Sequence, residues 1–287
     1  MKICRFDDGR LGLIQKDDVV DVTCVIDALP ARRWPFPIHD EMIANFSTLR
    51  PAFEAAAATG KRHPLASVKF LSPVANPSKI IGAAGNRKNR DSDKLDFGTG
   101  AELGNTRKES DPPRLFLKAN SALVGPSAGV ALRFPDRRTD PEAELAAIIG
   151  RGGSDIPLSE ALDHVMGYSI GLDMTLRGPE PPSARKSIDT YAVLGPWLVT
   201  ADEIPDPNNV AYNLFVNGKE RQRSNTNNMA HGVAELVAHA STFYTLMPGD
   251  IIMTGSPLGF EPVKPGDRMT AEFDHIGKMD VHIRAHA

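Results

Sequence analysis

Cysteine is scarce: Cys4 and Cys24 are the only two in 287 residues. That excludes a disulfide-built scaffold and any thiolate-rich metal site. Both sit among apolar neighbours and read as core filler rather than as a pair. No apolar run is long enough to span a bilayer, and the N-terminal segment carries Asp7-Asp8 where a secretory signal needs its apolar stretch. Neither sign of charge dominates, with 33 Lys and Arg against 36 Asp and Glu and a net charge of −3. The basic surface that nucleic acid or an acidic membrane would select is therefore missing. These absences point to a soluble cytoplasmic protein without a nucleic-acid or membrane partner. Also missing are the P-loop, G-x-G-x-x-G and H-E-x-x-H. His231 and His239 fall eight apart on one helical pattern, too far to share an ion, and His275, His282 and His286 read as surface residues.

What is present supports a sizeable core, since 41% of residues are hydrophobic. Residues 1–72 look like a small separate α/β unit. Lys2–Phe6 and Leu11–Ile14 flank an Asp-Asp-Gly-Arg turn as a hairpin, Val19–Val22 is a third strand, and helical patterns follow over Ile38–Phe46 and Leu49–Ala58. Residues 73–287 form the larger unit, mostly β. Its strands are expected at Lys79–Gly85, Arg114–Lys118, Pro141–Gly150, Tyr168–Arg177, Asn213–Gly218 and Pro248–Thr254. Helical spacing appears over Pro157–Met166 and Met229–Leu246. Between Asn86 and Pro113 apolar periodicity stops and charge and glycine take over, which suits either a lid that orders over a ligand or a solvated insertion.

The chemistry gathers around Glu142-Ala143-Glu144, at the edge of a run otherwise fit for burial. On a strand, residues i and i+2 share a face. Two carboxylates held together in a half-buried place need a proton or a cation between them; alternatively the pair is simply solvated. Asp173 is a third carboxylate among apolar residues, free to join them or to pair with Arg177. Three such oxygens favour Mg²⁺, Mn²⁺ or Ca²⁺ over Zn²⁺, and an open site of this kind suits chelation of an oxo acid or a 1,3-dicarbonyl. Lys186 either neutralises a carboxylate and holds an oxyanion or is a loop lysine, and Arg177 and Thr254 have comparable binding or structural readings.

Taken in order, several segments resemble the fumarylacetoacetate hydrolase family: Pro113–Lys118, Glu142–Gly150, Gly167–Asp173 with Arg177, Lys186–Thr190 with Gly195-Pro196-Trp197, Val216-Asn217-Gly218 with Arg221-Gln222 and Asn225-Thr226, and Pro248–Pro257. The resemblance runs from about Lys79 to the C-terminus. It implies an α+β, mostly β fold, with a mixed β-roll or β-sandwich larger domain, usually homodimeric. It implies Mg²⁺ or Mn²⁺ on Glu142, Glu144 and Asp173, with Lys186 catalytic and Arg177, Thr190 and Thr254 binding substrate. The implied activity is hydrolysis of a C–C bond in an acylpyruvate or related oxo acid, as in aromatic-compound catabolism. Decarboxylation, dehydration or isomerisation through a metal-stabilised enolate is the alternative. One departure bears on that choice. Many members carry Asn-Tyr-x-x-His, followed three residues later by an acid, where this chain has Asn86-Arg87-Lys88-Asn89-Arg90 and Asp93. Arg90 cannot act as a base at neutral pH, so water activation is left to Asp91, Asp93 or another lid residue, while Arg87, Lys88 and Arg90 could instead clamp an anionic substrate, as a lyase or isomerase would require.

Overall fold

A computed structural model describes residues 1–88, 111–259 and 261–286. Among the described residues the centre of the fold is the strand Ala143–Ile149, all seven of whose residues are buried. It lies between the nine-residue strand Val165–Asp173 and the strand Ile251–Met253, antiparallel to both. A strand covered on both faces reads as a continuous apolar run rather than an alternating one, which is why Leu145 to Ile149 carries no polar residue. Its side chains nonetheless divide by parity. Ala143, Leu145, Ala147 and Ile149 enter one apolar cluster, and Ala146 and Ile148 enter a second, with Ile80, Ala192, Leu194, Ile251 and Met253.

The sheet continues on one side through Ala192–Thr200, and on the other through Ile80–Ala83 to Leu115–Lys118. Two residues after that edge strand a short 3₁₀ turn at Asn120–Ala122 begins, and Leu123–Val124 then pairs in parallel with Ala192–Thr200. The two flanks of the sheet are thus joined by one stretch of chain, and the sheet curls into a roll around the second cluster. This is the mixed, mostly β architecture that the sequence predicts. A further five-stranded sheet, Lys219–Asn225, Ala211–Val216, Arg268–Phe273, Gly277–Ala285 and Val130–Leu132, packs into the first cluster.

The N-terminal strands continue the main sheet rather than forming their own. Lys2–Phe6 pairs with Ala192–Thr200, Lys2 opposite Val199 and Ile3 opposite Leu198. Met42, Ile43, Leu49 and Phe53 from the helices Glu41–Ala44 and Phe46–Thr59 enter the second cluster. A division into 1–72 and 73–287 is therefore a proposal about folding units, not a gap in the sheet.

Three details differ from the sequence reading. Pro157–Met166 is not one α-helix but a 3₁₀ segment, Leu158–His164, with Val165 already in the strand that follows. The amides of Gly150 and Arg151 both donate to the His164 carbonyl, and Val165 registers opposite Ile149, so sheet pairing claims the end of the helical pattern. Expected helix Met229–Leu246 is shorter, Val233–Phe243. Cys4 is buried as expected, but Cys24 is exposed, because it lies in a surface 3₁₀ turn whose buried residue is Val25.

Asp250 locks the roll. Its carboxylate is fully buried, accepts from Ser78 Oγ at 2.8 Å, the Lys79 amide at 2.9 Å and the Met247 amide at 2.7 Å, and pairs with Lys79 Nζ at 2.5 Å. These bonds fix where Ile80–Ala83 starts alongside Ile251–Met253. Removing one partner of such a buried network costs about 3–5 kcal/mol. Asp250→Ala should therefore lower stability by about 3 kcal/mol in denaturant unfolding; a midpoint shift of under a tenth of the wild-type value would contradict this role.

Candidate metal centre

The antiparallel register places Ala143 opposite Leu172 and Glu144 opposite Gly171. One step outward, the Asp173 amide donates to the Glu142 carbonyl at 2.8 Å, so Glu142 and Asp173 face one another across the pair. Directly opposed residues share a face, as do i and i+2. Glu142, Glu144 and Asp173 therefore converge on the inner side of the roll, above Ala146 and Ile148. All three are buried, at 7%, 2% and 1% exposure, and one oxygen from each lies within 4.8 Å of the others.

The surrounding cations are unevenly shared. Asp173 pairs with both Lys118 and Lys186. Lys186 also donates to Glu142 at 2.9 Å and lies 4.9 Å from the centre of the Phe116 ring. Arg177 donates to Glu142 at 3.0 Å and to Asp140 at 2.7 Å, and Asp140 is held in turn by Arg138 at 2.9 Å. Glu144 differs from the other two. Among the described residues no cation comes within ion-pair distance of it, and its hydrogen bond is from the Gly255 amide at 2.7 Å. Gly255 has φ +97°, and a Cβ there would meet Asn86 Cβ at 2.8 Å and the Ala83 carbonyl at 2.9 Å, so only glycine turns that amide onto Glu144.

These environments set the proton affinities. Burial, reinforced by the negative charge of Asp173, raises Glu144 well above the usual carboxylate range. Burial also works against Asp173, but the charges of Lys118 and Lys186 together outweigh it and hold its pKa low. Burial pulls Lys118 down. Lys186 is opposed by burial and nevertheless raised, by Asp173 first and then Glu142.

Of the residues singled out in the sequence, Lys186 and Arg177 reach the three acids directly. Lys186 touches two of the three acids. Thr254 is buried at the end of its strand and donates Oγ1 to the Leu145 carbonyl at 2.9 Å. Thr190 Oγ1 accepts the Ala131 amide at 2.9 Å, leaving its own proton to donate. Asp173 takes the two lysines as partners, and Arg177 turns to Glu142 and Asp140 instead. Arg90 and Asp93 lie outside the described residues. Sequence reasoning gave no role to Lys118, the most buried residue of Leu115–Lys118; a lysine closing an apolar strand was the available signal. It also passed over Asn86, whose side chain donates to the His231 and Thr254 carbonyls, both at 2.8 Å, and ties the start of the expected lid to the site.

The donor set fits a hard divalent cation. Three carboxylate oxygens converge, and Glu144 is the one acid that no cation of the described chain pairs with; burial favours its protonated form, and a bound cation would take the place of that proton. It follows that Glu144→Gln should leave the metal-free protein as stable as wild type or more so, because a neutral amide of the same shape replaces a carboxyl that burial disfavours in its charged form, while the acceptor for Gly255 remains. The same change should weaken Mn²⁺ binding in calorimetric titration by about a hundredfold. Unchanged Mn²⁺ affinity would remove Glu144 from the ligand set.

The chain resembles known proteins along its length. The fumarylacetoacetate (FAA) hydrolase C-terminal family profile matches residues 84–284. The chain is 46% identical over 286 residues to the maleylpyruvate hydrolase of Aquipseudomonas alcaligenes, covering 99% of this chain and 100% of that one. It is 33% identical to a mitochondrial oxaloacetate tautomerase of Xenopus laevis, over 93% of this chain and 84% of the other. Among solved structures it superposes with a TM-score of 0.83, at 36% identity and full coverage of both chains, on the maleylpyruvate hydrolase of Sphingobium sp. SYK-6 in complex with manganese(II) ion and pyruvate. With its roll, its three inward carboxylates and this match along its length, the chain belongs to the fumarylacetoacetate hydrolase family.

Proposed function

We propose that the protein is a divalent-metal-dependent hydrolase that cleaves the C–C bond of an acylpyruvate, with maleylpyruvate the first candidate. The observation that carries this reading is the buried Glu142–Glu144–Asp173 set, with two lysines on it, in a chain 46% identical from end to end to a maleylpyruvate hydrolase. Glu142, Glu144 and Asp173 would hold Mg²⁺ or Mn²⁺, which when bound supplies Lewis acidity to the substrate's oxo-acid oxygens.

The remaining work falls to the chain's own groups. Hydrolysis of an acylpyruvate adds water at the acyl carbonyl, breaks the bond to the pyruvyl methylene, and delivers a proton to that carbon. Negative charge develops on the acyl oxygen and then on the departing pyruvate. Lys186 lies inside the cluster and is held charged, so it is placed to stabilise that charge. Arg177, tied to Asp140 and Glu142, keeps Glu142 oriented, and we assign it to the substrate carboxylate. The Thr190 hydroxyl has its proton to give to a substrate oxygen, and the Thr254 oxygen retains acceptor capacity. We assign water activation to Asp93 and an anion clamp to Arg90. We further propose that the protein works in the cytoplasm as a homodimer, for which light scattering should return twice the chain mass.

A second reading, isomerisation of an oxo acid, is favoured by the oxaloacetate tautomerase relative and by arginine at position 90 where many members carry histidine; decarboxylation and dehydration belong to the same alternative. The two readings part on products. Incubated with Mn²⁺ and maleylpyruvate in ¹⁸O-water, the enzyme should release maleate with one heavy oxygen in its new carboxylate, plus pyruvate. A product of unchanged mass, or loss of CO₂ or water, would move it to the alternative. Lys186→Met should lower kcat by about 10²–10³-fold, and a kcat within threefold of wild type would withdraw Lys186 from the chemistry.

A further inference from the structure

The cluster holds a fourth buried cation that it does not neutralise. Arg185 ends the short helix Pro182–Arg185, next to Lys186, and is 6% exposed. Its Nη1 reaches the Leu176 carbonyl only at 3.5 Å, and its Nε is buried without a hydrogen-bond partner. Among the described residues no carboxylate lies within ion-pair distance of it. Its neighbours are each matched: Lys118 with Asp173, Lys186 with Glu142 and Asp173, Arg177 with Asp140 and Glu142. Glu180, five residues before it, is turned to Arg137 at 2.7 Å. Arg185 nevertheless lies close enough to Glu142, Asp173 and Arg177 to feel their charges, and burial, with Arg177's repulsion second, depresses its pKa.

A guanidinium buried without a counter-ion is costly, and breaking or omitting its partner is among the larger penalties a fold can carry. A planar donor fork with unused hydrogens is also the group best shaped to take a carboxylate. Beside a site that binds an oxo acid, the missing anion has an obvious source. The 2-oxo acid end of an acylpyruvate presents its carboxylate and keto oxygens to a chelated cation, so an unmatched arginine next to Lys186 is left for a second anionic group.

We propose that Arg185 is the receptor for the distal carboxylate of a dicarboxylic acylpyruvate, and so sets the enzyme's preference for acyl groups that end in a carboxylate. This rests on the acylpyruvate hydrolase reading. It adds a substrate-binding residue beyond the positions already named and confines the substrate class. Maleylpyruvate has the required second carboxylate; acetylpyruvate does not.

The test uses the Mn²⁺-loaded full chain, as wild type, Arg185→Met and Arg185→Lys. Maleate and pyruvate are titrated calorimetrically, and turnover of maleylpyruvate and acetylpyruvate is measured beside them. Arg185→Met should weaken maleate binding by about 10–100-fold and leave pyruvate binding unchanged. Its kcat/KM for maleylpyruvate should fall by a similar factor, carried by KM, while acetylpyruvate turnover holds. Arg185→Lys should lie between, keeping the charge but not the fork. Thermal unfolding without ligand should be unchanged or higher in Arg185→Met, because an unpaired buried charge is gone. Equal losses of maleate and pyruvate binding, a lowered ligand-free melting temperature, or unchanged maleate binding would each overturn the assignment. If the wild type cleaves neither acylpyruvate, the hydrolase reading fails on its own, while the two titrations still decide whether Arg185 receives a dicarboxylate.

Discussion

Three carboxylates whose oxygens lie within 4.8 Å of one another, all buried, repel strongly in a medium that screens poorly. The surrounding structure follows from relieving that repulsion. Two lysines are drawn onto Asp173, one of them shared with Glu142, and Arg177 braces Glu142 from the far side with Asp140 behind it. Glu144 is left to a single backbone amide. The described chain has enough cations to satisfy two of the three acids and withholds one from the third, which makes the site a receptor for a divalent ion rather than a closed salt-bridge network.

Such a cluster must be held rigidly, and the sheet supplies the rigidity. Glu142 and Glu144 sit where the central strand emerges from between two neighbours, and Asp173 is fixed opposite Glu142 by register. Curling brings Lys118 into reach, since its strand lies beyond Ile251–Met253 and Ile80–Ala83 in the sheet order and meets Asp173 only because the next segment closes onto Ala192–Thr200. Apolar side chains fill the roll beneath the acids, so the polar groups occupy one mouth and the hydrophobic cluster stabilises the position of that mouth.

Much of this was legible in the sequence because it is local. The run Leu145–Ile149, the i, i+2 spacing of Glu142 and Glu144 and the carboxylate ending an apolar strand at Asp173 are all periodicities of two, and the ordered motifs named the family. What stayed hidden is long-range. Lys118 is 55 residues from Asp173, and Arg177, close to Asp173 in sequence, turns elsewhere. Pairing of Lys2–Phe6 with Ala192–Thr200 and the loss of the Pro157–Met166 helix to the sheet are likewise decided by distant partners. Arg185 gave no signal at all, since a basic residue in a Pro-containing loop ordinarily points to solvent and only the packed structure shows it buried.

Relatives of this chain include a maleylpyruvate hydrolase and an oxaloacetate tautomerase, so the fold does not choose among reactions. The choice rests on which cations face the substrate and on how the oxo acid is held. That depends first on whether the three acids bind a metal together. Anomalous diffraction at the manganese edge, on crystals grown with Mn²⁺ and pyruvate, tests this most directly. The account predicts one strong peak in contact with oxygens of Glu142, Glu144 and Asp173, with pyruvate beside it. A site without anomalous signal, or an ion held elsewhere with Lys186 still lodged between Glu142 and Asp173, would contradict it.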